Sequence, residues 1–217
     1  TVNGATSVFA VDLDGDWDID VLSASEYDDK IAWYKNNGSG SFAQQLNITE
    51  SISIVRHVHA ADLDGDGDMD VLSASEYDND GLGNFGAQQN ISTSANGARY
   101  TYAVDLDGDS DMDVLSAAFE NNRIAWYEND GAGNFVLQLP YISTTATDAR
   151  WVYATDMDGD GNMDVISASS APNKIAWYKN DGEGNFGSPQ TISTTANSNS
   201  PVYIIDLDGD GDMDVLT

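Results

Sequence analysis

An all-β fold is predicted by three features of this 217-residue sequence. Short apolar segments rich in β-branched and aromatic residues alternate with turns rich in Gly, Asn and Asp. No segment shows a sustained 3.6-residue period, so we expect essentially no helix. An acidic nine-residue loop recurs five times, at separations of 50, 43, 51 and 50 residues. Periods of this size are typical of β-propellers and stacked repeat arrays, and we expect a β-propeller-type array of four-stranded antiparallel blades.

Each complete repeat has the same order of segments. In the first repeat, residues 7–11 lead into the acidic loop 12–20, strand-like segments follow at residues 19–25 and 30–35, and a Gly-rich turn precedes a fourth segment that starts at Phe42. Four antiparallel strands in about 50 residues match one propeller blade. The chain then forms a single repeat domain, residues 1–217, of about four and a half repeats: 1–53, 54–96, 97–147, 148–197 and the partial repeat 198–217.

The second repeat is shorter than the others. After residues 73–78 the chain continues directly with residues 79–85, and the seven residues that would correspond to residues 29–35 are absent. These seven residues form the third strand segment of the first repeat. We therefore expect the second blade to lack one strand and to be three-stranded or irregular.

The composition of the repeated loop predicts a metal site. Of the 37 acidic residues in the chain, 24 lie in the five loops. Five carboxylates in nine residues would repel one another strongly, and a hard divalent cation, which prefers oxygen ligands, removes that repulsion. Five bound Ca²⁺ ions would add ten positive charges to the formal net charge of −29 and bring it to −19.

Two other interpretations of the loop are less favourable. An EF-hand loop has Gly at position 6 and Glu at position 12, whereas position 12 here is Ser23, Ser73, Ser116, Ser167 or Thr217. Magnesium also accepts carboxylate ligands, but a dense cage of protein oxygens favours the larger calcium ion. Extracellular calcium modules bind with dissociation constants of about 10⁻⁴ to 10⁻³ M, so we expect structural sites rather than sensors.

The repeated segment Asp-x-Asp-Gly-Asp-Gly-Asp-Met-Asp-Val-Leu, with a downstream Asn-Phe-Gly at residues 84–86 and 185–187, resembles the FG-GAP/VCBS repeat family. Members of that family form calcium-binding β-propellers, commonly with seven blades, that are similar to the blades of integrin alpha subunits. The resemblance covers essentially the whole chain and implies a secreted or cell-surface protein. The chain has no initiator Met and ends partway through a repeat, which we interpret as a piece of a longer protein. A closed seven-blade ring would need further sequence or a partner chain.

The resemblance also implies the metal ligands. Loop positions 1, 3, 5 and 9 would give side-chain oxygens, and position 7 would give its backbone carbonyl. The side-chain ligands would be Asp12, Asp14, Asp16 and Asp20 in loop 1; Asp62, Asp64, Asp66 and Asp70 in loop 2; Asp105, Asp107, Asp109 and Asp113 in loop 3; Asp156, Asp158, Asp160 and Asp164 in loop 4; and Asp206, Asp208, Asp210 and Asp214 in loop 5. Position 7 is Asp18, Asp68, Asp111, Asn162 and Asp212. The single Asn falls where only a carbonyl is required, and up to five Ca²⁺ ions are expected.

A second recurring pattern precedes the loops. Arginine occupies one aligned position and alternating aromatic or histidine residues follow it: Arg56, Arg99 and Arg150; His57, Tyr100 and Trp151; His59, Tyr102 and Tyr153. These residues could form a ring that binds sugars or anions, or the two histidines could bind metal. We favour packing of the rings between blades, with the arginines paired to nearby carboxylates. The tryptophans of the Ile-Ala-Trp-Tyr segments (Trp33, Trp126 and Trp177) are expected in the blade core, with a lectin platform as the alternative.

Catalysis has little support in the sequence, and we expect no enzyme. There is no nucleophile-elbow motif, no phosphate-binding glycine loop and no His-rich zinc pattern. A general acid needs an uncommitted carboxyl group in a cleft, and the recurring Glu26, Glu76 and Glu120 are expected to be solvated loop residues. Three glycosylation sequons begin at Asn37, Asn47 and Asn90, and chance occurrence is the default explanation.

The composition limits the partners. The acidic balance argues against nucleic acid, whose binding proteins carry basic faces, and against anionic membrane surfaces. No cysteine is present and no segment is long and apolar enough for membrane insertion. The leading hypothesis is a non-catalytic, calcium-stabilised extracellular module for adhesion, scaffolding or ligand binding, with a protein or glycan as partner. The alternatives are a glycan-binding lectin, a subunit of a head-to-tail homo-oligomer or filament, and a fragment of a polysaccharide-active enzyme.

Overall fold

A computed structural model of the chain describes residues 3–49, 52–75, 89–196 and 202–217. Every regular element in these ranges is a β-strand, which confirms the all-β prediction, and none of them contains a helix able to cross a membrane. The strands are β1 (Ala5–Val11), β2 (Asp20–Ser25), β3 (Lys30–Tyr34), β4 (Leu46–Thr49), β5 (Val55–Ala61), β6 (Asp70–Ser75), β7 (Ala98–Val104), β8 (Asp113–Ala118), β9 (Arg123–Asn129), β10 (Phe135–Leu137), β11 (Ala149–Thr155), β12 (Asp164–Ser169), β13 (Lys174–Tyr178), β14 (Gln190–Ser193), β15 (Tyr203–Ile205) and β16 (Asp214–Leu216).

The strands form antiparallel sheets that follow the sequence repeats. Blade 1 (β1 to β4), blade 3 (β7 to β10) and blade 4 (β11 to β14) are four-stranded sheets in which each strand pairs with the next along the chain. Blade 2 (β5 and β6) and blade 5 (β15 and β16) are two-stranded sheets in the described part of the chain. The predicted propeller-type blades are thus confirmed. Residues 76–88, on which the missing third strand of blade 2 was predicted, lie outside the described ranges, so that detail remains a prediction.

One register places the acidic loop in all five blades. The aspartate at loop position 9 is the first residue of the second strand, and it pairs with the last residue of the first strand. The pairs are Val11 with Asp20, Ala61 with Asp70, Val104 with Asp113, Thr155 with Asp164 and Ile205 with Asp214. Each acidic loop therefore closes the hairpin between the first two strands of its blade, and position 9 lies at the base of that hairpin.

The hydrophobic core lies between consecutive blades. Leu22 and Ile31 of blade 1 pack with Val58 of blade 2 in one cluster, and Leu115 of blade 3 packs with Val152 of blade 4 in another. These side chains are at most 2% exposed. Full burial of such an aliphatic side chain contributes about 1.5–3 kcal/mol, so the blades stabilise one another mainly through these faces.

The outer faces of the first and last blades lack this cover in the described structure. Val8 is 69% exposed, whereas Val58 and Val152, which hold the same position in blades 2 and 4, are 0% and 1% exposed. At the other end, Leu207 of blade 5 is 66% exposed, whereas the corresponding Leu13 is 8% exposed. In blade 2, the residue at the position of Val8 packs against the preceding blade. In blade 1, the residue at the position of Leu207 packs against the following blade.

Candidate metal sites

The aspartate at loop position 1 folds the loop around its own carboxylate. In loop 3, the N–H of Gly108 donates to Oδ1 of Asp105 at 2.7 Å and the N–H of Ser110 donates to Oδ2 at 3.0 Å. Gly108 has φ +80, a conformation that glycine adopts at little cost. The position-1 residue accepts the same pair of bonds in loops 2, 4 and 5: Asp62, Asp156 and Asp206. In loop 1, Asp12 accepts the N–H groups of Asp16 and Trp17 instead.

The aspartate at position 5 fixes the next turn of the loop. Its Oδ1 accepts the N–H of position 7, as in the 2.9 Å bond from Asp111 to Asp109. Equivalent bonds of 2.9–3.0 Å occur in the other four loops. An ionised carboxylate offers about four lone-pair sites, so these bonds leave acceptor capacity for a cation.

Each loop brings three carboxylates together. Within a group, one oxygen from each residue lies within 4.8 Å of the others. Two oxygens bound at 2.3–2.6 Å to a common calcium ion are separated by at most about 5 Å, so this spacing suits a shared cation. The groups are Asp12, Asp14 and Asp16; Asp62, Asp64 and Asp66; Asp105, Asp107 and Asp113; Asp156, Asp158 and Asp164; and Asp206, Asp208 and Asp210.

The structure thus joins positions 1 and 3 in every loop, with position 5 in loops 1, 2 and 5 and position 9 in loops 3 and 4. The position-7 side chain belongs to none of these groups, and in loops 1, 3 and 4 it lies over the turn between the third and fourth strands. A methyl group built on Gly131 would lie 2.5 Å from Oδ2 of Asp111, and one built on Gly182 would lie 2.5 Å from Oδ1 of Asn162. We still predict that the backbone carbonyl of position 7 binds the metal.

The position-9 aspartate is fully buried in loops 1, 3 and 4 and half-buried in loops 2 and 5. Asp113 is 0% exposed, and its carboxylate accepts the N–H groups of Leu106 at 3.0 Å and Asn129 at 2.9 Å. Burial raises the pKa of Asp113 to about 6 even though these two donors oppose the shift. Burial also raises the pKa of Asp70 and of Asp164. A buried carboxylate whose charge is only partly compensated is stabilised by a nearby cation.

Two lysines lie on the acidic loops, and sequence reasoning missed them. Lys35 Nζ contacts the carboxylate of Asp14 and lies 3.0 Å from Oδ2 of Asp16. Lys179 makes the same contacts in loop 4, with Asp158 and, at 2.9 Å, Asp160. The lysines lower the pKa values of Asp16 and Asp160. The only sequence signal was their position directly after the Ile-Ala-Trp-Tyr segment, where blade 3 has Glu128 instead.

The recurring aromatic and histidine residues stack from blade to blade. In one row the ring centroids of His57 and Tyr100 are 3.7 Å apart, and those of Tyr100 and Trp151 are 4.7 Å apart. The second row contains Phe9, His59, Tyr102 and Tyr153, with centroid distances of 4.4, 5.2 and 4.6 Å. These contacts favour the packing interpretation over a metal or sugar site.

The arginines are engaged nearby. Arg56 pairs with Glu26 at 2.6 Å, and the guanidinium groups of Arg99 and Arg150 lie 4.3 and 5.4 Å from the ring centre of Phe119. Cation–π contacts of this kind are worth about 0.5–1 kcal/mol at exposed sites. Arg56 is therefore paired to a carboxylate as expected, and Arg99 and Arg150 pack on an aromatic ring that the sequence pattern did not indicate.

The remaining candidates have structural surroundings. Trp126 is 5% exposed and lies in the core, as expected. Trp33 and Trp177 are only partly buried, and Trp33 donates its indole N–H to Oδ2 of Asp20 at 2.8 Å. Glu120 is exposed, and Glu76 lies outside the described residues. The three sequon asparagines are exposed: Asn37, Asn47 and Asn90.

Solved structures that are similar to the chain include the following two. One is an Agrocybe aegerita lectin described as recognising non-reducing terminal N-acetylglucosamine, with 22% identity, a TM-score of 0.58 and coverage of 87% of this chain and 52% of the lectin. The other is the V. cholerae biofilm matrix protein Bap1, with 19% identity, a TM-score of 0.56 and coverage of 92% of this chain and 32% of Bap1. The chain thus spans about half of the lectin and a third of Bap1. Identities this low establish the fold alone.

No curated protein matches the chain. The FG-GAP-like repeat family matches residues 12–73, 105–167 and 156–217. These segments contain all five acidic loops and most of the strands. The chain belongs to the FG-GAP-like repeat family.

Proposed function

We propose that this chain is a non-catalytic extracellular repeat module whose acidic loops bind Ca²⁺ and thereby keep its blades rigid. The observation that carries the proposal is the convergence of three carboxylate oxygens within 4.8 Å in each of the five hairpin loops. A rigid set of blades then presents its variable surface loops to a partner, as binding loops on rigid scaffolds commonly do.

The donor chemistry fits calcium. All the converging atoms are carboxylate oxygens, and Ca²⁺ takes six to eight oxygen ligands in flexible geometry, whereas Mg²⁺ requires a nearly ideal octahedron at about 2.0–2.1 Å. The carboxylates that converge are those of positions 1, 3 and 5 in three loops and of positions 1, 3 and 9 in the other two. Calcium tolerates such variation in ligand geometry better than magnesium does. The buried carboxylate of Asp113, whose pKa is raised to about 6, also gains from a cation beside it.

The chain's own residues explain how an ion would stiffen a blade. Position 1 fixes the loop backbone through two hydrogen bonds, and position 9 lies at the base of the same hairpin. In loops 3 and 4, a cation that joins these positions would fasten the two ends of the loop to each other and remove the repulsion between the carboxylates.

Thermal melts in millimolar Ca²⁺, in millimolar Mg²⁺ and in EDTA test the proposal. Each site at a free calcium concentration 100 times its dissociation constant stabilises the folded state by about 2.7 kcal/mol, so we expect a large calcium-specific rise in Tm. Equal melting temperatures in all three solutions would refute the proposal.

Loop 3 offers a matched pair of variants. Asp107 belongs to the carboxylate group and Asp111 at position 7 does not, and loop 4 already carries Asn at position 7. We expect Asp107→Asn to remove one calcium equivalent and to reduce the rise in Tm. Asp111→Asn makes the same change of charge, and we expect it to leave the calcium stoichiometry unchanged.

An extracellular location and a glycan or protein partner belong to the same proposal. Loops with millimolar to submillimolar affinity would be filled outside the cell, where extracellular modules work. Since one similar structure is a lectin for terminal N-acetylglucosamine and another is a biofilm matrix protein, glycans ending in that sugar are the first probes to use. A glycan array that includes them would detect this activity, and an array without signal would leave a protein as the partner.

Head-to-tail association is a second candidate, favoured by the uncovered faces of blades 1 and 5. Val8 and Leu207 are exposed where the corresponding residues of inner blades are buried against a neighbour. The two faces are therefore the two halves of an interface that the chain already uses between its blades, and such heterologous contacts build rings or open fibres. Sedimentation velocity in Ca²⁺ over a hundredfold range of concentration should show assembly that Val8→Lys abolishes. A monomer throughout would exclude this candidate.

A further inference from the structure

A buried asparagine connects the acidic loops of neighbouring blades. Asn129 in blade 3 and Asn180 in blade 4 are 2% and 0% exposed. The side-chain amide of Asn129 donates to the carbonyl of Met112 in its own loop at 2.9 Å and to that of Leu63 in loop 2 at 2.8 Å. Asn180 repeats the pattern, with bonds of 2.9 Å to Met163 in its own loop and 2.6 Å to Leu106 in loop 3.

The same asparagines hold the position-9 aspartates. The backbone N–H of Asn129 donates to Oδ1 of Asp113 at 2.9 Å, and that of Asn180 donates to Oδ1 of Asp164 at 2.8 Å. The other oxygen of Asp113 accepts the N–H of Leu106 at 3.0 Å. Each asparagine thus bonds the metal-loop base of its own blade and the metal loop of the blade before it.

These bonds form one continuous series through three loops. It runs from Asp164 to Asn180, Leu106, Asp113, Asn129 and Leu63, and ends at Asp70, whose Oδ2 accepts the N–H of Leu63 at 3.0 Å. In this series Leu63 and Leu106 are the position-2 residues, each between the carboxylates of positions 1 and 3. The peptide that orients two members of a carboxylate group is therefore bonded to the next blade.

We propose that the acidic loops of blades 2, 3 and 4 bind Ca²⁺ with positive cooperativity, and that Asn129 and Asn180 are the residues that couple them. This inference rests on the proposed calcium function. An ion in loop 3 orders Asp113, which holds the backbone of Asn129, and the amide of Asn129 then holds the peptide of Leu63 in loop 2. Loop 2 then loses less conformational entropy when it binds its own ion, and this smaller loss makes the binding at the two loops cooperative. Coupling of this kind is reciprocal, so an ion in loop 2 favours binding in loop 3 by the same factor.

Blade 1 supplies the control. Asn36 holds the position of Asn129, and its backbone N–H donates to Oδ1 of Asp20 at 2.7 Å. Its side-chain amide donates to the carbonyl of Ile19 in its own loop at 3.0 Å. Among the described residues Asn36 makes no bond to another blade's loop. If loss of the side-chain amide changed calcium binding by itself, Asn36→Ala would show that change in loop 1. If the amide acts through its bond to a neighbouring loop, Asn36→Ala would not affect the coupling between loops.

The experiment measures the calcium affinity of individual loops. The backbone N–H groups of Gly65 and Gly159 donate to the position-1 aspartates of loops 2 and 4, so their NMR resonances report calcium binding at these loops. Loop 3 is disabled by Asp107→Asn, which changes neither reporter loop. We expect the apparent affinities at Gly65 and Gly159 to fall by about fivefold or more, within the usual range of coupling between sites. In the same variant, the affinity at loop 1, reported by the N–H of Trp17 that donates to Asp12, should stay within twofold of its original value.

The asparagines are then tested in a cycle. In an Asn129→Ala background, Asp107→Asn should no longer change the affinity at Gly65, while an Asn36→Ala background should preserve the full effect. Unchanged affinities at Gly65 and Gly159 after Asp107→Asn in the otherwise natural chain would overturn the inference, and this arm does not depend on the folding of the asparagine variants. If Asn129→Ala does not fold, two other measurements test the coupling. One is the effect of Asp107→Asn on the affinities at Gly65 and Gly159, and the other is the reverse effect of Asp158→Asn on the affinity at Gly108. Absence of calcium binding at every loop would instead refute the proposed function itself.

Discussion

Gly184 of blade 4 lies against the indole ring of Trp126 in blade 3. A methyl group built on Gly184 would lie 2.1 Å from Cη2 and 2.2 Å from Cζ3 of that ring. Gly40 holds the same place in blade 1, where the neighbouring space within 4 Å is empty. The two glycines have nearly equal φ angles, +73 and +76, so the pair separates steric contact between blades from backbone strain.

We expect Gly184→Ala to destabilise the protein more than Gly40→Ala. Both variants place a Cβ in the left-handed region, at a cost of about 1–2 kcal/mol. Gly184→Ala must also displace Trp126, and overpacking of this kind typically costs about 1–3 kcal/mol more. Urea unfolding in the presence of Ca²⁺ measures both free energies of unfolding. Equal losses for the two variants would show that the blade 3–blade 4 contact is looser than described.

His57 should make the stability depend on pH. Burial, and secondarily the nearby His59, lowers the pKa of His57 to about 3, below the value of about 6.5 in an unfolded chain. The unfolded state therefore binds more protons below pH 6.5, and stability is lost as the pH falls from 6.5 towards 3. By pH 5 this residue alone should remove about 2 kcal/mol from the free energy of unfolding.

The variant His57→Tyr tests this expectation, because Tyr100 occupies the same position in blade 3 and stacks in the same row. Its free energy of unfolding should fall less between pH 7.5 and pH 5 than that of the natural chain. A part of the slope should remain, since burial also lowers the pKa of His59 to about 4. Identical slopes for the two proteins would mean that His57 is solvated in solution.

The two lysines should weaken calcium binding at their loops. Lys35 Nζ lies on the carboxylates of Asp14 and Asp16, where it repels an incoming cation and must be displaced from its ion pairs. Removing the lysine charge relieves this repulsion and frees both carboxylates, so Lys35→Gln should raise the calcium affinity of loop 1 severalfold. The amide resonance of Trp17, whose N–H donates to Asp12, reports the binding.

Lys30→Gln is the matched control for Lys35→Gln. Lys30 begins β3 opposite Ser25, at the end of the strand away from the acidic loop, and its loss changes the net charge equally. We expect little effect on loop 1. A similar gain in both variants would show that only the overall charge matters, and the gain should shrink in high salt because exposed charges are screened.

The sequence predicted the parts of the site that are local in the chain. The spacing of the acidic loops and the alternation of the flanking segments placed Asp113 at the base of a hairpin, since a strand of period 2 after a tight loop leaves little choice of register. The predicted segments at residues 19–25 and 30–35 differ by one residue at an end from β2 and β3. Such patterns depend only on neighbours within a few residues.

The parts that the sequence did not predict depend on packing between distant segments. Asn180 bonds to Leu106 across 74 residues and Asn129 to Leu63 across 66, and no local pattern encodes those distances. The sequence also presents five nearly identical loops, whereas the structure gathers position 5 in some and position 9 in others. The lysine contacts do not explain that difference, because loops 1 and 4 both carry one and gather different carboxylates.

Trp17 should reduce the stability of loop 1. It has φ +73 and is 92% exposed, so its side chain gains little from packing in return for a left-handed backbone. Loops 2, 4 and 5 place glycine at this position, with φ between +91 and +96. A side chain in this region costs about 1–2 kcal/mol, and the greater freedom of glycine in the unfolded state offsets part of the gain. Trp17→Gly should therefore raise the free energy of unfolding by about 0.5–1 kcal/mol.

Trp17→Ala removes the same indole but keeps the Cβ, so it should give no increase. Denaturant unfolding in Ca²⁺ measures both variants. A loss of stability in Trp17→Gly and Trp17→Ala alike would mean that the indole makes a stabilising contact in solution, and the face of blade 1 that carries it would then be covered rather than open.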